Sequence, residues 1–209
     1  MARPRSFDED KALDAAIACF WSRGLEATSV RDLAERMGIQ GPSLYNAFGD
    51  KRALFARALE RYATRTMRER IARFERLNDP KVAICTFIQD AIERSVCDPH
   101  RRGCLLVNSA LEVAPHDKQL RTRIAAYLDE IAAFFRRNIA AAQAAGMTPE
   151  TLDQADTARL LLGVLLGIRV LARANPDRAL LEGVAGPALA LLDGPAGTRT
   201  SKNRRGKRT

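Results

Sequence analysis

Between positions 40 and 51 the chain sets out a close series of hydrogen-bonding side chains: Gln40, Ser43, Tyr45, Asn46 and Lys51. An Asn or Gln amide donates and accepts at once, which matches the major-groove edge of adenine, and a Ser hydroxyl serves either kind of base. A Tyr hydroxyl and a Lys ammonium suit phosphate oxygens. Gln40 and Gly41 lead into a short helix read from Pro42 to Phe48, with Ser43 and Asn46 on its polar side and Leu44 and Phe48 opposite. The chemistry on offer is recognition of double-stranded DNA, with bases read from one helix and phosphates held beside it.

Other chemistries find less support. Glu112 and His116 stand four apart, a spacing that suits a metal pair, but Pro115 interrupts a helix through both. Cys19, Cys85, Cys97 and Cys104 show no CxxC spacing and no His at zinc distance, so no metal is expected and the thiols read as reduced. A Gly-rich phosphate loop and a nucleophile–base motif are both missing, which argues against an enzyme and against a cofactor. Cys104 follows Arg101 and Arg102 at the start of a helix, a setting that favours a thiolate. The alternative to a plain core residue there is a thiol that senses oxidants or electrophiles.

The elements that must position these groups are helical. Alanine, leucine and arginine dominate the 209 residues, which favours helix over strand. Ser6 and Glu9 form a capping pair before a first helix whose apolar stripe is Leu13, Ala16, Ile17, Phe20 and Trp21. Gly24 stops it. A second helix begins at Thr28 or Ser29, with Asp32 placed to reach back, and ends at Gly38. Two short helices joined by a Gly-containing turn and braced by a third make a helix-turn-helix. A fourth helix runs from Lys51 to about Leu77, with Leu54, Phe55, Ala58, Leu59 and Tyr62 apolar.

Five further helices follow. They are read at about 81–96 (with Val82, Phe87, Ile88 and Ile92 inward), 104–113, 118–144, from Thr148-Pro149-Glu150 to Ala174, and from Asn175-Pro176-Asp177 to about Leu192. In the eighth, Gly163 and Gly167 form a GxxxG whose small residues allow close helix packing. The predicted organisation is all-α with nine helices. Residues 1–50 form a helix-turn-helix DNA-binding domain and residues 51–193 a six-helix body. Residues 194–209 form a disordered basic tail.

Net charge is +9, yet the head is neutral. Residues 1–55 carry 8 basic and 8 acidic side chains, residues 56–76 carry 7 and 3, and residues 194–209 carry 6 and none. Much of the excess lies in the tail, so the basic balance by itself says little about DNA. Arg3 and Arg5 precede the first helix as an arm able to enter a minor groove. No apolar leader follows Met1, and the run from Leu160 to Ile168 is far short of the ~20 residues of a membrane span. A cytoplasmic protein with no membrane partner is expected.

Two stretches resemble the TetR family of regulators. Residues 27–35 (ATSVRDLAE) look like the family's second helix, and residues 38–55 (GIQGPSLYNAFGDKRALF) look like its recognition helix and bridge. The resemblance implies a homodimer of nine-helix protomers, joined through helices eight and nine, that binds a palindromic operator and most often represses. It further implies a body pocket for a small-molecule effector, whose binding moves helix four. Carried over position by position, Thr28, Tyr45 and Lys51 would meet phosphate, Gln40, Gly41, Ser43 and Asn46 would lie against bases, and Ser29 and Pro42 complete the expected DNA-binding set. The family commonly has His at Asn46, an aromatic at Ala47 and a longer polar residue at Gly41. Candidates for the pocket are Tyr62, Phe87, Cys104, Asn108, Tyr127 and Phe134.

Overall fold

The computed structural model describes residues 7–194, and these form helices with no strand among them. The head is α1 (Glu9–Arg23), α2 (Val30–Met37) and α3 (Gly41–Phe48). A long α4 spans residues 51–74. It is α-helical over Lys51–Tyr62, π-helical over Ala63–Arg68 and α-helical again over Glu69–Phe74. The body continues with α5 (Pro80–Val96), α6 (Leu105–Glu112), α7 (Lys118–Ala144), α8 (Gln154–Ala174) and α9 (Arg178–Ala190), which a 3-10 turn at Leu191–Asp193 closes. No described helix is long and apolar enough to cross a membrane.

Most helix starts follow from local chemistry. A short oxygen-bearing side chain accepts the free first-turn amides. Asp8, Ser29, Asp50, Asp79, Asp117, Asp153 and Asp177 do this for α1, α2, α4, α5, α7, α8 and α9. Ser29 and Asp32 form the expected reciprocal box: Asp32 N donates to Ser29 Oγ and Ser29 N to Asp32 Oδ2, each at 3.1 Å. Only α3 and α6 begin without a side-chain cap. At α6 the Tyr62 hydroxyl accepts the Leu105 amide at 3.4 Å instead.

One apolar core runs through head and body. Phe20 of α1 meets Phe55 of α4 edge-on, with centroids 5.0 Å apart. Phe87, Phe134 and Phe135 cluster where α5 meets α7. Such offset and edge contacts suit the ring quadrupole. Leu33 and Leu44 are fully buried and hold α2 and α3 to that core, leaving their opposite faces free.

Several elements differ from the sequence reading. Asp8, not Ser6, caps α1, because its carboxylate accepts both Asp10 N and Lys11 N. Ser6, Arg3, Arg5 and residues 195–209 lie outside the described residues. Helix four stops at Phe74 rather than Leu77 and contains a π segment that apolar spacing does not announce. Helix eight starts at Gln154, since Asp153 supplies the cap. Thr148 is instead buried, with its hydroxyl donating to Leu192 O at 3.1 Å. Val82 was expected inward, but it is 47% exposed.

Candidate nucleic-acid interface

The turn after α2 sets the geometry. Gly38 adopts a left-handed conformation (φ 66°, ψ 30°), and its amide and that of Ile39 close α2. Pro42 then sits in the first turn of α3, where it needs no amide partner. Leu44 and Phe48 face the core, so Gln40, Tyr45 and Asn46 are exposed, Tyr45 by 52%, and Gly41 and Ser43 are half-buried. Gln40 occupies the cap position but makes no cap bond, so its amide is uncommitted locally. The start of α3 therefore presents bare backbone amides, the positive end of a helix dipole and three exposed polar side chains on one surface. A helix ~10–12 Å across fits a major groove ~12 Å wide.

The expected phosphate residues divide. Ser29 is exposed at the start of α2, where its hydroxyl already bonds Asp32. Thr28 does not face outward. It is fully buried, and its hydroxyl donates to Gly24 O at 2.6 Å, so it braces the α1–α2 turn rather than offering a surface donor. Lys51 is half-buried and donates to Thr28 O at 3.2 Å and Glu26 O at 3.4 Å. Its ammonium thus couples the start of α4 to the same turn while keeping a third N–H.

Two sets of contacts lock the head to the body. Arg61 reaches Asp14 (Nε–Oδ1 2.7 Å) and Asp10 (2.7 Å), Arg65 reaches Asp14 (2.7 Å), and Arg57 pairs with Glu9. The hydrogen bond from Arg61, followed by that from Arg65, lowers the Asp14 carboxyl to about 2. At the far end of α6 the Glu112 carboxylate accepts Glu26 N at 3.1 Å. It lies so close to Gly24 (φ 82°) that a Cβ there would stand 2.3 Å from Oε2. Glu112 was weighed above as a metal ligand, and it serves here as a tie between α6 and the head.

In the body a cavity of about 40 Å³ lies between α4, α5, α6, α7 and α8. Tyr62, Phe87 and Cys104 line it. Asn108 lines a different surface groove, and its side-chain amide is taken by Arg102 O and Arg173. Tyr127 turns away to donate its hydroxyl to Glu60, and Phe134 is solid core between Phe87 and Phe135. Cys104 is half-buried, with Sγ 3.7 Å from the Tyr62 hydroxyl. The sequence reading missed Arg70 and Arg169, which also line the cavity and are 7% and 8% exposed. The helical register held a signal for one of them: Arg169 stands one turn beyond inward-facing Leu165.

Head, bare recognition helix and helical body together define the class of helix-turn-helix DNA-binding regulators. The family model for bacterial regulatory proteins of the tetR family matches residues 12–58, and that for the tetracyclin repressor-like C-terminal domain matches residues 80–185. The chain is 31% identical over 197 residues to an uncharacterized HTH-type transcriptional regulator, YezE of Bacillus subtilis (strain 168), covering 92% of this chain and all of that one. It is 28% identical over 190 residues to the HTH-type transcriptional repressor ComR of Escherichia coli (strain K12), covering 90% of each. Among solved structures it resembles a cysteine mutant of the TetR family transcriptional regulator CifR complexed with 26-bp double-strand operator DNA. That likeness has a TM-score of 0.81 at 32% identity and covers 91% of this chain and 100% of the other. The protein belongs to the TetR family and is a DNA-binding transcriptional regulator.

Proposed function

We propose that the protein is a repressor that binds a palindromic operator as a homodimer and leaves it when a small molecule enters the body. One observation carries the DNA contact: the uncapped start of α3 with Gln40, Tyr45 and Asn46 exposed around it. Gln40, Gly41, Pro42, Ser43 and Asn46 lie against bases, and Ser29, Tyr45 and Lys51 lie against phosphates. The operator complex of the CifR mutant and the repressor name of ComR support this reading. Residues 1–50 act as the DNA-binding domain and residues 51–193 as the ligand-binding and dimerisation domain.

The surface of α8 and α9 supports the dimer. Leu160, Val170, Leu180 and Leu191 are each 37–45% exposed. Gly163, Gly167, Gly183 and Gly186 lie on the same two helices, and an added Cβ at any of them would meet nothing within 4 Å. Glycine weakens a helix by about 1 kcal/mol relative to alanine, and here no contact within the protomer requires it. Small residues beside exposed leucines suit the close approach of a second copy.

Ligand response follows from two connections between cavity and head. The cavity borders the π segment of α4, which is ion-paired to α1 through Arg65 and, one turn earlier, through Arg61. It also borders the start of α6, whose last residue, Glu112, holds the α1–α2 turn. A ligand that binds better to a displaced α4 or α6 shifts the population toward heads that no longer fit successive grooves. Footprinting on DNA flanking the gene, with and without candidate effectors, tests the proposal. Protection of an inverted repeat that an effector removes supports it, and protection without sequence preference contradicts it.

A further inference from the structure

The body cavity is short of negative charge. Arg70 is buried against Phe87, its guanidinium 4.8 Å from the ring centroid, and its Nε has no hydrogen-bond partner. Its counter-ion is Asp90, at 2.5 Å, but Asp90 also serves Arg73 at 3.0 Å and Arg94 at 2.9 Å. Arg169 is buried too, and among the described residues its polar partner is the Ser95 hydroxyl, at 3.1 Å, with no carboxylate within ion-pair distance. Three guanidiniums therefore share the Asp90 carboxylate, and Arg169 beside them has none. Burial, with repulsion from Arg169 and Arg94, outweighs the pull of Asp90 and lowers Arg70 to about 10. A buried cation without its own counter-charge is costly unless something else provides one.

The surrounding polar groups point the same way. The cavity opens beside a cleft of about 290 Å³, and the two share Tyr62, Thr66 and Arg169. Arg94 and Arg102 line the cleft, with Asp98 committed to Arg102. Trp21, which reaches the cleft from the head, has a buried Nε1 without a partner. Among the described residues, the two buried side-chain atoms left without a hydrogen bond are this Nε1 and the Arg70 Nε, and both are donors. The first turn of α6 also borders the cavity: Leu105 N donates to the Tyr62 hydroxyl at 3.4 Å, and Leu106 and Val107 line the space with no side-chain cap from Cys104. Every unmet need around the space is for an acceptor or an anion. Leu106, Ile131 and Leu165 make the rest of the wall apolar.

We infer that the cavity is a carboxylate site, taking a small monocarboxylate whose head pairs with Arg169 and whose short apolar body lies against Phe87, Ile131 and Leu165. A planar guanidinium pairs a carboxylate through two parallel hydrogen bonds. The cavity, about 40 Å³, is small, so the ligand body is short or extends into the cleft. The inference rests on reading the body as an effector domain, and it goes further by naming the ligand's chemistry.

Direct binding and DNA release are measured separately on the full chain. Butanoate and benzoate are titrated against their neutral counterparts butan-1-ol and benzyl alcohol, at constant ionic strength. Calorimetry and the fluorescence of Trp21, the single tryptophan, give the readouts. At least one carboxylate is expected to bind at least ten-fold more tightly than its alcohol. Arg169→Lys is expected to weaken it and Arg169→Gln to abolish it. If Arg169→Gln loses its cooperative melt, the Arg169→Lys protein alone decides, since it keeps the charge and removes the fork. Alcohols that bind as well as carboxylates, carboxylates that fail to bind at millimolar concentration, or binding unchanged by Arg169→Lys would each overturn the inference. Carboxylate binding that leaves operator affinity untouched would sustain the site while sinking the ligand-response reading. Release of the operator by neutral molecules alone would do the reverse.

Discussion

At the scale of single residues, the proposed interface would separate groups that hold DNA from groups that read it. Tyr45 and Lys51 stand where phosphates would run, and Lys51 also braces the α1–α2 turn. Tyr45→Ala and Lys51→Ala are each expected to weaken every sequence by a similar factor, on the order of ten-fold, and Lys51→Ala to reduce the salt slope by about one. Asn46→Ala is expected to change the ranking of operator variants instead. Mobility shifts on a panel of single-base variants at several salt concentrations separate the two behaviours. Thr28 illustrates what spacing could not show: its position in the motif is as expected, yet its hydroxyl points inward to Gly24 O. Arg70 and Arg169 went unread for a related reason. Arginine is most often solvated, and only its neighbours in three dimensions reveal a buried one.

Among the elements, α4 and α6 bear on coupling. Asp14 joins α1 to α4 through Arg61 and Arg65, and its folded-state pKa of about 2 lies below the ordinary aspartate value of 3.8. A depressed carboxyl contributes stability that is full above the unfolded value and is lost as pH falls through the folded one. The α1–α4 clamp should therefore be intact above about pH 4 and weaken toward pH 2. Asp14→Asn should flatten that part of an acid-unfolding curve, an effect tempered by the exposure of the pair. Gly24→Ala forces a side chain into positive φ and against Glu112, so it should destabilise by about 1–3 kcal/mol in denaturant melts. Combining it with Glu112→Ala should recover the clash but not the backbone strain, a non-additivity that a double-mutant cycle reads directly. The helices themselves were largely legible, because apolar spacing and capping residues are local signals. Nothing local marks the π segment Ala63–Arg68, and Asp153 displaced the expected start at Thr148 because Thr148 found a buried partner in Leu192.

For the whole molecule, charge and assembly matter together. Residues 1–55 are net neutral and basic side chains gather along residues 56–76, so on the proposed reading DNA affinity would rest on a few placed donors rather than on a general positive field. Such a head gains from being doubled. The exposed glycines of α8 and α9 allow a clean test, since an added Cβ there meets nothing inside the protomer within 4 Å. Gly163→Glu with Gly183→Glu should leave the helical signal intact, yield monomers by light scattering and reduce operator affinity at least a hundred-fold. A dimer that survives both changes would place the contact elsewhere.

The most direct test of the central claim is a nuclease footprint of the full chain on DNA flanking its gene, taken across a salt series. The predicted result is one inverted repeat whose half-sites lie about one helical turn, or a multiple of it, apart, with protection lost in the Tyr45→Ala protein. Uniform protection that follows salt alone and is indifferent to Tyr45 and Asn46 would contradict it.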